Sequence, residues 1–149
     1  YANDNWSQPN LQPARQDITL PLEEVNVSSF VKNLQTNITT DSLDFDVQVL
    51  NGDSSGLGKK DFKHDVNIIF YDGDNSPVKM TEFFTNMLNF TESVFTLVVD
   101  DANIEANVAI TKRFIEENNL KILYERELLN DSEDPDMWWN GLYVTVLAK

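Results

Sequence analysis

The chain contains no cysteine and a single histidine, His64. Disulfides, thiolate metal centres, iron–sulfur clusters and thiol nucleophiles are therefore excluded, because each needs Cys. One imidazole also rules out any site built on a His pair. Basic side chains are scarce: 11 Lys and Arg face 25 Asp and Glu, for a formal net charge of −14. Phosphate binding needs a basic surface, so this balance opposes direct contact with nucleic acid or an anionic membrane. No apolar run approaches the roughly 20 residues that cross a bilayer, so the domain itself is not expected to insert. What is present is ordinary for a globular protein. Of the 149 residues, 41% are apolar and 24% charged, enough for one core and one domain.

The first 17 residues are rich in Asn, Gln and Pro and follow neither the helical nor the strand period. Pro9 and Pro13 interrupt any regular element there, so 1–18 reads as a polar arm or linker ahead of a single domain over 19–149. A chain that opens on Tyr1 is expected of a processed precursor or a trimmed sequence. A polar leader suits a tether to a membrane anchor.

Periodicity then marks the elements. Val27, Phe30, Val31 and Leu34 share one helical face within Pro21–Gln35. Leu43, Phe45, Val47 and Val49 alternate with polar residues, as do Phe62, His64, Val66, Ile68 and Phe70. With the Gly-rich stretch Asn51–Lys60 between them, these two runs predict a long hairpin. Ser76 followed by Pro77 predicts a helix start, and Met80, Phe83, Phe84, Met87 and Leu88 its apolar face. Val94–Val99 is nearly all apolar and reads as a central strand. Asp101 is expected to cap a second helix carrying Ile104, Val108, Thr111, Phe114 and Ile115 on one side. Strands at Lys121–Leu128 and Trp138–Leu147 flank an acidic loop. The order α-β-β-α-β-α-β-β predicts an α+β fold. It is expected to be a two-layer sandwich with a mixed, mostly antiparallel sheet of about five strands and three helices. A βαβ crossover is expected around Val99.

Leu97-Val98-Val99-Asp100-Asp101, followed by an amphipathic helix, resembles the opening strand of response-regulator receiver domains, where an acidic pair helps hold magnesium. Only 25 residues follow Tyr124, too few for the repeats that such a domain still requires, so that reading is set aside. Asp72-Gly73-Asp74-Asn75-Ser76 has the start of a calcium loop but carries Pro77 and Phe83 where Gly and Glu belong. Gly56-Leu57-Gly58-Lys59-Lys60 lacks the Gly and the Ser or Thr of a phosphate loop and is expected as a solvated hairpin tip. His64, on an alternating apolar face, is expected to be buried and hydrogen-bonded.

The strongest candidate surface is Trp138 and Trp139 beside Asp131, Glu133, Asp134 and Asp136. Neighbouring strand residues point to opposite faces, so one indole is expected outside, flanked by carboxylates. Aromatic rings among acids suit a basic protein partner. Asp131, Glu133 and Asp134 are also the weak candidates for a cation. From these features the sequence predicts a non-enzymatic acidic binding domain of the immunity-protein or inhibitor type, without a cofactor and exported. The alternatives are the extracytoplasmic domain of a lipoprotein or surface protein, and a small metal-dependent hydrolase. A cytoplasmic location is the alternative to export.

Overall fold

In the computed structural model, the described residues are 2–4, 32, 49–51, 54–130 and 140–149. The chain divides into two compact units, Tyr1–Gly56 and Leu57–Lys149. In the first, strands β1 (Ala2–Asp4) and β2 (Val49–Asn51) run parallel, with Ala2 opposite Val49 and Asp4 opposite Asn51. A 3-10 turn covers Ser54–Gly56. Of the helix expected over Pro21–Gln35, only Lys32 is described, and it is helical. The strand expected over Leu43–Val49 lies outside the described residues except for Val49.

The second unit holds strands β3 (Val66–Tyr71), β4 (Thr91–Asp100), β5 (Lys121–Leu128) and β6 (Leu142–Ala148). Its helices are α1 (Pro77–Leu88) and α2 (Glu105–Glu117). The sheet order is β3-β4-β6-β5. β3 and β4 are parallel, while β6 runs antiparallel to both β4 and β5. The fold is thus α+β with a mixed four-stranded sheet and two helices in this unit, rather than five strands and three helices.

The pairing differs from the expected hairpin. β3 forms a parallel ladder with β4 through the α1 crossover, and β2 pairs with β1. Alternation over Phe62–Phe70 overstated the strand. Lys59–Asp61 is a 3-10 turn, Gly58 N–H donates to Asp61 Oδ2 (2.8 Å), and the strand begins only at Val66. His64 falls before it and is exposed, not buried. The expected crossover after β4 exists as β4–α2–β5, with β6 inserted between its two strands.

One face of the sheet and both helices enclose the core. Ile69 and Tyr71, Phe95, Leu97 and Val99, and Tyr143 and Leu147 come from alternate strand positions. Met80, Phe84 and Met87 come from α1 at helical spacing, and Val108, Phe114 and Ile115 from α2. Phe84 lies 5.2 Å from the Tyr71 ring and 5.3 Å from Phe114, joining β3, α1 and α2. Each such aromatic pair adds about 0.5–1.5 kcal/mol beyond area burial. The register places Ile68 and Phe70 on the opposite face, where they are 63% and 58% exposed. Among the described residues, no helix is long and apolar enough to cross a membrane.

Candidate functional site

The parallel strands β3 and β4 end on the same rim of the sheet. In open α/β sheets the crevice for ligands lies outside the carboxyl ends of parallel strands, where loops present side chains and backbone groups without disturbing the core. Here the rim is built by 72–76 after β3 and by 101–104 after β4.

Burial of the Tyr71 ring anchors the first loop. Its phenol donates to the Asp74 carbonyl at 2.7 Å. Burial, followed by the charges of Asp74 and Asp72, pushes its pKa up to about 12. Asp74 Oδ1 accepts the Ser76 N–H at 2.7 Å. That backbone bond is the main reason its carboxyl titrates below the usual range. Ser76 caps α1 with Pro77 in the first turn, as expected, although its side chain makes no capping bond.

The second loop corrects an expectation. The cap residue of α2 is Ile104, without a side-chain bond, and Asp101 instead faces across the rim. Its carboxylate accepts Asn75 Nδ2 and Asn140 Nδ2, each at 2.6 Å, and its backbone sits at φ 57°. Asp tolerates this left-handed region better than most residues. Beneath it, Asn107 in the first turn of α2 is 0% exposed. Its Nδ2 donates to Asn75 Oδ1 (3.0 Å) and to the Asp101 carbonyl (3.3 Å), and its Oδ1 has no partner among the described residues.

The same turn holds both stems of the β5–β6 connection. Asn103 Nδ2 donates to the Asn130 carbonyl (2.7 Å), and Asn103 Oδ1 accepts the Asn130 N–H (3.0 Å). On the other stem, Asn103 N–H donates to the Asn140 carbonyl (2.8 Å) and Ala102 N–H to that of Gly141 (3.2 Å). The sequence-predicted docking residues Asp131, Glu133, Asp134, Asp136, Trp138 and Trp139 lie between these stems, outside the described residues.

The structure therefore brings together Asn75, Asp101, Asn103, Asn107 and Asn140, three of which the sequence reading passed over. With 17 Asn in the chain, no single amide stood out. Two of these five residues, Asn75 and Asp101, follow the ends of predicted strands, and that placement was the available signal. Chemically, the rim carries Asp72, Asp74, Asp100 and Asp101, and no Lys, Arg or His occurs in 71–77 or 100–104. Such a rim attracts a cationic ligand and repels a pyrophosphate. Among the described residues there is no group of three acidic or imidazole side chains able to hold a metal ion.

No protein-family model matches the chain, and no curated protein matches it in sequence. Solved structures do match in fold. An rRNA methylase from Streptococcus thermophilus superposes with a TM-score of 0.51 at 9% identity, over 84% of this chain and 69% of its own. An S-adenosylmethionine-dependent methyltransferase from Clostridium acetobutylicum has a TM-score of 0.49 at 8% identity, covering 80% of this chain and 71% of its own. An O-methyltransferase from Bacillus cereus, solved with S-adenosylhomocysteine (SAH), has a TM-score of 0.49 at 16% identity, covering 77% of this chain and 56% of its own. The expected non-enzymatic docking domain, an exported immunity protein or inhibitor, is withdrawn on these findings. Acidity was its main support, and an acidic rim at the end of a parallel strand pair accounts for part of that charge without any docking role. The chain shares its fold with the rRNA methylase from Streptococcus thermophilus.

Proposed function

We propose that the protein is an enzyme that transfers a methyl group from a sulfonium donor of the S-adenosylmethionine type, bound along the rim at the ends of β3 and β4. The observation that carries this reading is the sheet itself. It has a parallel β3–β4 pair and an antiparallel β6 inserted before β5, the chain superposes on the methylase above with a TM-score of 0.51, and the crevice of an open sheet with parallel strands lies at this rim.

Sheets of this general kind also bind dinucleotides, and charge separates the two possibilities. Asp72 and Asp74 are exposed carboxylates in the first loop, and no basic side chain lies in either loop to neutralise a pyrophosphate. A donor that is positively charged at sulfur and at its amino group fits this set. Asp72 and Asp74 would hold its cationic side. When bound, the donor supplies an electrophilic methyl group. As the S–CH3 bond breaks and the methyl bonds to an acceptor nucleophile, sulfur keeps the electron pair and becomes a neutral thioether; the protein's residues supply the orientation that speeds this step and a negative field that holds the charged donor more tightly than that product. A donor made inside the cell suits the cytoplasmic alternative.

Calorimetric titration of the full-length protein with S-adenosylmethionine tests the reading. The wild type is expected to bind, and D72N/D74N to bind about tenfold more weakly, the effect of roughly 1.4 kcal/mol that two partly screened charges exert. D74N keeps the side-chain oxygen that accepts the Ser76 N–H, so the loop itself is retained. Equal affinity in both proteins, or tight binding of NAD in place of the sulfonium, would contradict it.

A further inference from the structure

We propose that Asp101 is a positioning residue: it locks the loop after β3, the loop after β4 and the start of β6 into one geometry, acting through Asn75 and Asn140. Its catalytic meaning rests on the methyl-transfer reading, but the locking itself does not.

Three observations converge on it. Both carboxylate oxygens are engaged, Oδ2 by Asn75 and Oδ1 by Asn140, at 2.6 Å each. The two amides belong to different loops, 65 positions apart in sequence, and meet at this side chain. Charge-assisted bonds of this length are the strong class. Second, Asp101 holds φ 57°, a conformation that local preference disfavours and that persists only where the surroundings impose it. Third, Asn107 is fully buried, its Oδ1 has no partner among the described residues, and its Nδ2 is committed to Asn75 Oδ1 and to the Asp101 carbonyl. A buried acceptor without a donor is rare in folded proteins and calls for a reason other than stability. Here the amide is turned to serve the lock. The relay runs from buried Asn107 to Asn75, from Asn75 to Asp101, and from Asn140 to Asp101, so helix α2 reaches the rim through one chain of bonds.

With both oxygens filled, Asp101 does not need to touch the reacting groups in order to matter. Asp72 and Asp74, on the loop that it fixes, are the residues offered to the donor. Loss of the lock would leave their charge in place and blur their position. Misplacement at the ångström scale lowers the rate of an oriented reaction steeply.

The test exchanges amide and carboxylate between two positions. D101N sets a donor amide against the donors of Asn75 and Asn140 and breaks one of the two bonds. In N75D/D101N, the amide placed at 101 accepts from Asn140 and donates to the carboxylate at 75, which still accepts from Asn107. Every bond of the relay returns while the charge has moved. Hydrogen exchange is measured on full-length wild type, D101N and N75D/D101N. D101N is expected to raise exchange about tenfold over 72–76 and at Asn140–Gly141, with α2 still protected, and the double variant is expected to restore it to within about twofold.

Unchanged exchange in D101N, or no recovery in the double variant, overturns the proposal. If D101N fails to fold, N140A removes a single donor, and unchanged exchange at Gly141 in that variant overturns it equally. Titration of S-adenosylmethionine into the same proteins adds the functional arm. Affinity that falls in D101N and recovers with the exchange pattern supports positioning. Affinity that stays lost in N75D/D101N while the loops are locked again means that the carboxylate at 101 meets the ligand itself, which overturns the proposal. If the wild type does not bind the donor, the methyl-transfer reading fails, and the exchange data alone decide the lock.

Discussion

Tyr71 connects the core to the rim in one side chain. Its ring packs on Phe83 and Phe84, and its hydroxyl holds the Asp74 carbonyl. Because its pKa is raised from 10.0 to about 12, the folded protein binds the phenol proton more tightly than the unfolded chain does. The stabilisation is complete below pH 10 and is lost as pH rises through about 12. Denaturant midpoints across that range should fall for the wild type and fall less for Y71F. At neutral pH, Y71F should lose about 1 kcal/mol for the missing bond. Gly141 is the second test at this scale. It sits at φ 74°, and a Cβ there would lie 2.5 Å from Asn103 Oδ1 and 3.1 Å from the Leu128 carbonyl. G141A is expected to lose at least about 1–2 kcal/mol from the backbone alone and to push Asn103 off the Asn130 stem. A urea melt unchanged from wild type would show that this turn is not needed. The lock residues escaped the sequence reading because an Asn signals a turn, a cap or a surface equally well. Asp101 was read as a cap because position favours it, and tertiary donors at 2.6 Å outweigh that local preference.

At the scale of elements, the helical period located both helices of the second unit closely, since Met80, Phe84 and Met87 and then Val108, Phe114 and Ile115 fall inward as expected. Ile104 was the exception. It lies before the first turn of α2, where the helical spacing no longer decides which way a residue points, and it is exposed. Phe84 touches β3 and α2 at once, so F84A should cost about 3–5 kcal/mol in the same denaturant assay. A loss below about 1 kcal/mol would mean that the α1 interface is not part of the core.

Pairing was far less legible than element type. Alternation tells which strand faces are buried but not which strand lies alongside, and two alternating runs joined by a Gly-rich stretch mimic a hairpin. The actual partner of β3 is β4, reached through a helix that the sequence did identify. The misread part, Phe62–Asp65, alternates in hydrophobicity for another reason. Phe62 is buried and stacks on Phe90 at 5.4 Å, without being part of a strand.

For the molecule as a whole, composition excluded thiol chemistry and sites built on a His pair but could not choose between two uses of an acidic surface. A net charge of −14 is a sum, and function depends on where the charges lie. Three carboxylates in two loops, with Asp100 ending β4 beside them, carry a different meaning at one end of a parallel strand pair from four spread over a docking patch. Only the topology brings those loops together, because they are separated by helix α1 and strand β4.

The most direct measurement of the central claim is a titration of full-length, isotope-labelled protein with S-adenosylmethionine, followed by amide chemical shifts. The account predicts saturable shifts concentrated in 72–76 and 101–104, with the exposed sheet face around Ile68 and Phe70 unmoved. Shifts confined to other parts of the fold, or none at millimolar donor, would contradict it.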